Sequence, residues 1–244
     1  MKFVLSILMV VLAIFIFYSC NQSTEPQELN LSEIENNGLM PLRIGNSWSY
    51  KVYQLDDKGI VLFEQFSYDL KITRTSTNSN IMNDIPRYHA AVFSTKTGKQ
   101  QEFEWLYRNK EDGLHLMGGK MSKDSVYSDI LIKKFPVEKG DSQYIPHLVY
   151  DTYLLKYSIF DTVKYTCVET NAVYETPAGV FNCKVYHHHE LQEGVVAELD
   201  IYEYYDEKVG LVAVLTNSSF PKENKSYPKY KQVLISKNIV NSNY

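Results

Sequence analysis

The sequence predicts an all-β fold, an antiparallel meander, sandwich or barrel. Three observations carry that expectation. Twenty Tyr, eleven Phe and two Trp in 244 residues suit pleated, half-buried surfaces. Apolar residues alternate at period two over several windows, the spacing of strands with one buried face. Turn-forming clusters separate these windows, as in a meander, sandwich or barrel. No short-period repeat is present, which excludes a solenoid.

The first element is a leader. Met1-Lys2 carries one positive charge, Phe3 to Phe17 is apolar except for Ser6, and Tyr18-Ser19-Cys20 closes the run. Charged start, apolar stretch and small residue at a cleavage point make a secretory signal. Cysteine at that point is similar to the lipobox of bacterial lipoproteins, where the thiol takes a diacylglyceryl group. Phe17 and Tyr18 depart from the usual small or aliphatic residues of such a box. The alternative is an uncleaved anchor, since spanning a bilayer takes about 20 apolar residues. Residues 1–19 are therefore expected to be a signal peptide, and residues 20–38 the lipidated Cys20 with a polar tether. The antiparallel β domain is expected over residues 39–244. Leu29 to Leu39 reads as a short helix capped by Ser32, and Asn78 to Asp84 as a loop.

Within the body, Trp48, Tyr50 and Val52 share one strand face. Tyr68, Leu70 and Ile72 repeat the pattern, as do Phe103, Trp105 and Tyr107. Burial is expected for Trp48 and Trp105. Asp56-Asp57-Lys58-Gly59, Lys96-Thr97-Gly98-Lys99, Glu111-Asp112-Gly113 and Pro177-Ala178-Gly179 mark turns. Pro136 and Gly140 mark a midpoint, in a segment whose cadence echoes Pro41 to Trp48. Val209 to Leu215 is apolar on both faces and reads as a central strand.

Charge narrows the partners. The formal net charge is −4, and −5 once Lys2 of the leader is set aside, which argues against nucleic acid. His187-His188-His189-Glu190 puts His187 and His189 on one strand face, with Glu198 or Asp200 available as a third ligand. It is not the zincin pattern, because Glu193 replaces the second His and the segment reads as strand. The expectation is an ordinary half-buried strand with no metal. Gly140-Asp141-Ser142 with Asp112 and His115 imitates a hydrolase set, but in reversed order and without G-x-S-x-G. Cys167 and Cys183 outside the cytoplasm form a candidate disulfide. A hairpin centred on Pro177-Ala178 sets Cys183 opposite Ala172 and Cys167 near His188, which favours buried free thiols. Clusters such as Tyr202, Tyr204 and Tyr205, or Tyr150, Tyr153 and Tyr157, are candidates for stacking on a glycan.

Three segments carry a family resemblance. Pro41-Leu42-Arg43-Ile44-Gly45-Asn46-Ser47-Trp48-Ser49-Tyr50, Thr176-Pro177-Ala178-Gly179-Val180-Phe181-Asn182-Cys183 and Tyr204-Tyr205-Asp206-Glu207-Lys208-Val209-Gly210-Leu211-Val212 resemble segments of uncharacterised bacterial extracytoplasmic proteins, the TapB-like families of unknown function. The resemblance implies a curved sheet similar to the half-barrels of periplasmic lipoprotein carriers. It implies no catalytic residue. Asp206-Glu207-Lys208 departs from the small, uncharged turn usual at that place.

Taken together, the sequence reads as a non-catalytic lipoprotein of the bacterial cell envelope, at the outer membrane, with no cofactor. Its partners are expected to be the membrane, through N-terminal acyl chains, and a hydrophobic small molecule, a glycan or an envelope protein. An assembly role is the alternative, and a hydrolase the weakest reading.

Overall fold

The structure, a computed structural model, describes residues 38–76, 87–121, 124–151, 156–191, 198–220 and 225–240. The leader, Cys20, the Asn78–Asp84 loop and all of the expected helix except Gly38 and Leu39 lie outside them. Gly38 to Met40 form a bend.

Every element among the described residues is a strand. In chain order they are β1 (Ser47–Leu55), β2 (Val61–Ser76), β3 (Arg87–Ser94), β4 (Gln100–Lys110), β5 (Gly113–Met121) and β6 (Asp124–Lys134). Then follow β7 (Ser142–Asp151), β8 (Lys156–Thr176), β9 (Gly179–Leu191), β10 (Glu198–Asp206), β11 (Gly210–Phe220) and β12 (Lys225–Asn238). They form one sheet in the order β6-β5-β4-β3-β2-β1-β12-β11-β10-β9-β8-β7. All pairings are antiparallel.

That order is an up-and-down meander with its first and last strands joined. β1 pairs with β12 from Ser47↔Asn238 to Gln54↔Tyr230. Among the described strands, the one sequential step without a ladder is β6 to β7, and these two sheet ends come side by side. The sheet is therefore a nearly closed barrel with its seam at β6/β7, where the sequence placed its midpoint. Pairing almost every edge removes templates for aggregation.

Local chemistry explains the hairpins. Asp56 Oδ1 accepts from the backbone N–H of Lys58 and Ile60 at 2.9 and 2.7 Å, closing the β1–β2 turn. Asp206 Oδ1 accepts from the Lys208 N–H at 2.9 Å, so the charged turn before β11 is an Asx turn. Gly113 has φ +141°, and a Cβ there would meet Lys133 O at 2.0 Å. Gly210 has φ +89° and would press a Cβ against Met40, a close approach of the kind that calls for glycine in a strand.

The core follows the expected faces. Trp48, Tyr50 and Val52 are all buried along β1. Val209, Val212 and Ala213 are buried in and beside β11, which lies inside the sheet between β12 and β10. Leu39, Met40 and Leu42 join the same cluster, and Asn109 Nδ2 donates to Met40 O at 2.6 Å. These residues dock the entry to the domain onto the sheet.

The β8–β9 hairpin bends back over its neighbours. Tyr174 packs on Tyr204 at 4.5 Å, and Lys237 lies 4.4 Å from the Phe181 ring. Cys183 pairs with Ala172 as the turn predicts, but Cys167 faces Tyr186 instead of His188, because bulges lie on either side of Glu169. Both cysteines are free and buried. Burial raises both thiols, Cys183 to about 12, which leaves them unreactive.

Candidate functional site: an apolar cavity at the seam

Strands from both ends of the sheet converge on a half-open cavity of about 180 Å³. Trp105 and Leu116 line it from β4 and β5, Ile130 and Ile132 from β6, Ile145 and Pro146 from β7, and Val163 and Tyr165 from β8. Glu190 of β9 is the one charged residue in the lining. Trp105 is only half-buried, in contrast to Trp48, because its ring faces this space. The cavity exists because the seam lacks a ladder. Side chains can fill a small closed barrel, whereas an opened wall leaves room beside them.

A polar layer adjoins the apolar one. The Lys133 ammonium lies 3.9 Å from the Tyr165 ring centroid and pairs with Glu203 at 2.8 Å. These partners sit on β6 and β10, joined across the interior and not through neighbouring strands. His188 stacks on Tyr165 at 4.0 Å between ring centroids, and its Nε2 lies 3.3 Å from the Tyr165 hydroxyl and 3.2 Å from Glu190 Oε1. Burial first, and the Glu203 carboxylate after it, push the Tyr165 and Tyr205 phenols well above their usual value. Burial likewise raises Tyr68 to about 12. These phenols stay neutral and serve as hydrogen-bonding and aromatic surface.

The hydrolase set does not assemble. His115 Nε2 and Nδ1 each lie 2.8 Å from a carboxylate oxygen, of Asp112 and Asp129 respectively. Neither nitrogen remains to activate Ser142. Asp141 instead pairs with Lys134.

The tyrosine platform also disperses. Tyr204 packs at a tilt against Tyr174, Tyr202 stacks on His187, and Tyr205 points to the opposite face and is buried. The side chains of Tyr150, Tyr153 and Tyr157 lie outside the described residues, as does Glu193.

The histidine run behaves as strand alternation predicts. His188 faces the cavity layer, while His187 and His189 turn to the other face beside Asp200. Burial holds His187 below its usual value. Lys133 and Glu203 were missed by sequence reading. No local signal singles them out, since β6 also carries Asp124, Asp129 and Lys134, and β10 also carries Glu198, Asp200 and Asp206.

This fold and site define a class: a nearly closed, single-sheet antiparallel barrel with an apolar cavity at its seam. No protein-family model and no curated protein matches the chain. The resemblance of the three segments to the TapB-like families finds no support there. Among solved structures, the chain is similar to a putative lipoprotein from Parabacteroides distasonis ATCC 8503. That match has TM-score 0.48 and 16% identity, covering 83% of this chain and 99% of that one. It is also similar to a putative exported protein with YmcC-like fold from Bacteroides fragilis NCTC 9343. There the TM-score is 0.50 and the identity 12%, covering 82% of this chain and 98% of that one. At such identities the likeness is one of fold.

Proposed function

We propose that the chain is a bacterial envelope lipoprotein, anchored through acyl chains on Cys20, that binds a short apolar group in the seam cavity without converting it. The cavity is the observation that carries this reading. Its lining is apolar or aromatic apart from Glu190. Its volume limits the ligand. Drug-sized ligands occupy roughly 300–1,000 Å³, while an apolar cavity of about 150 Å³ takes benzene. At about 180 Å³ the site suits a short alkyl segment or one ring, and a whole acyl chain exceeds it. The leader grammar supports export and anchoring, and the Bacteroides fragilis neighbour is described as exported. Stable anchoring takes more than one acyl chain, as lipidation at Cys20 would provide.

Trp105 makes the cavity testable. A brominated medium-chain acid should quench Trp105 fluorescence saturably in the mature protein held in amphipol. Val163→Phe fills the space and should abolish that saturable component. Equal quenching in the variant, or quenching that never saturates, would remove the ligand-binding reading.

Processing is tested separately. Cells fed an alkyne-tagged fatty acid should label the wild type, and its intact mass should correspond to residues 20–244 plus acyl chains. Cys20→Ala should lose the label completely. An unlabelled wild type retaining residues 1–19 would point to the plain anchor.

One observation favours assembly as a second role. Ile60, Leu62, Phe63 and Phe66 are each more than half exposed. Ile60 closes the turn before β2, and the other three lie where β2 runs beyond the end of β3, whose pairing with β2 starts at Tyr68. An apolar edge of this kind suits strand addition by a partner protein.

A further inference from the structure

We propose that His187, His189 and Asp200 form a binding site for a divalent transition-metal cation of the zinc class, on the face of the sheet opposite the cavity layer. The register builds it. His189 and Asp200 are direct cross-strand partners on β9 and β10, and His187 lies two residues along from His189 on the same face, opposite Tyr202. Two residues of strand span about 7 Å, within reach of two imidazoles that lean toward one point. His189 Nδ1 lies 2.7 Å, and His187 Nε2 3.1 Å, from Asp200 Oδ1. All three donor atoms lie within 4.8 Å of one another.

A four-coordinate zinc ion with bonds of about 2.0–2.1 Å holds its donors roughly 3.3 Å apart. The two imidazole-to-carboxylate distances, 2.7 and 3.1 Å, fall a little short of that value and the third separation stays within 4.8 Å, so small rotations about the side-chain torsions are enough. Two imidazoles and one carboxylate suit zinc, copper or nickel, whereas calcium and magnesium call for shells of oxygen.

The surroundings favour a site over a chance contact. Tyr202 stacks on His187 at 4.4 Å and fixes that ring. The His187 and His189 rings meet edge-on at 4.5 Å. The Asp200 side chain is 13% exposed and that of His189 59%, so the carboxylate is shielded while an ion has a path in. His89 and His115 also contact carboxylates, but each is paired without a second imidazole. A fourth position facing solvent is left for water or a group from another molecule. The site is independent of the cavity reading, because His187 and His189 point away from Tyr165 and its neighbours.

The competing arrangement is a hydrogen-bonded triad in which Asp200 accepts from both rings and no ion binds. Titration calorimetry with zinc chloride alone, on the mature protein in amphipol, separates the two. The expected result is one Zn²⁺ per chain, with binding weakened tenfold or more in both His189→Ala and Asp200→Asn. Neither change touches the buried core, and circular dichroism should report an unchanged fold for each. Substitution by Co²⁺ should give the visible absorption of a four-coordinate site. Absence of saturable zinc binding, or a loss smaller than tenfold in either variant, would overturn the proposal in favour of the hydrogen-bonded triad.

Discussion

Trp48→Ala is expected to lower the unfolding free energy by about 3–5 kcal/mol, the usual cost of deleting a buried large aromatic side chain. Trp48 is 1% exposed and packs in the main apolar cluster. Its Nε1 donates to Val209 O at 2.6 Å, and Tyr50 beside it donates to Leu211 O at 2.8 Å. β1 thereby reaches across β12 to the backbone entering β11. The pairing of β1 with β12 joins the two six-strand halves, so the indole holds the junction on which closure depends. A ΔΔG of that size corresponds to a fall in Tm of roughly 2–4 °C per kcal/mol for a domain of 150–250 residues. Trp48→Phe keeps most of the ring but leaves the Val209 carbonyl without its donor, and should cost about 1–3 kcal/mol. Val173→Ala, at a residue 68% exposed, should stay within about 0.5 kcal/mol of wild type. Denaturant unfolding followed by circular dichroism measures all three. A Trp48→Ala loss no larger than that of Val173→Ala would contradict the role given to the indole.

The elements that sequence reading recovered are those written in contiguous residues. Trp48-Ser49-Tyr50-Lys51-Val52 states its buried face outright, because successive strand side chains alternate. Asp56-Asp57-Lys58-Gly59 states its turn, because an Asx carboxylate and a glycine supply what the backbone needs. Closure was not legible, since Ser47 and Asn238 meet only after the whole meander has formed. The register error at Cys167 has a similar cause. Counting back from the Pro177 turn works as far as Ala172 and fails beyond the bulges, which no residue pattern announced. The histidine cluster lies between these cases. Period two placed His187 and His189 together and left Glu198 or Asp200 as the third donor, a choice that the pairing of His189 with Asp200 decides. The stacking of Tyr202 on His187 needed the register of β10.

Lys133 shows what lies beyond sequence reading, and its replacement should be the second large effect. Lys133→Met is expected to cost about 3–5 kcal/mol, because it leaves a buried carboxylate without its counter-charge. The Lys133 side chain is 5% exposed and that of Glu203 16%, with 2.8 Å between Nζ and Oε2. The pair bridges β6 at one end of the sheet to β10 near the other, and the ammonium also lies over the Tyr165 ring. Desolvating two charges offsets most of their attraction, so the net worth of the intact pair is small. The double change Lys133→Met with Glu203→Gln should therefore recover most of the loss. It removes the stranded charge and keeps both side-chain volumes nearly constant. Unfolding of the wild type, both single variants and the double variant closes a thermodynamic cycle, with a coupling energy of about 1 kcal/mol or more expected for groups in contact. Additive losses, with no recovery in the double variant, would mean that Lys133 and Glu203 stabilise the barrel separately, and that the cross-interior pair does not hold the seam.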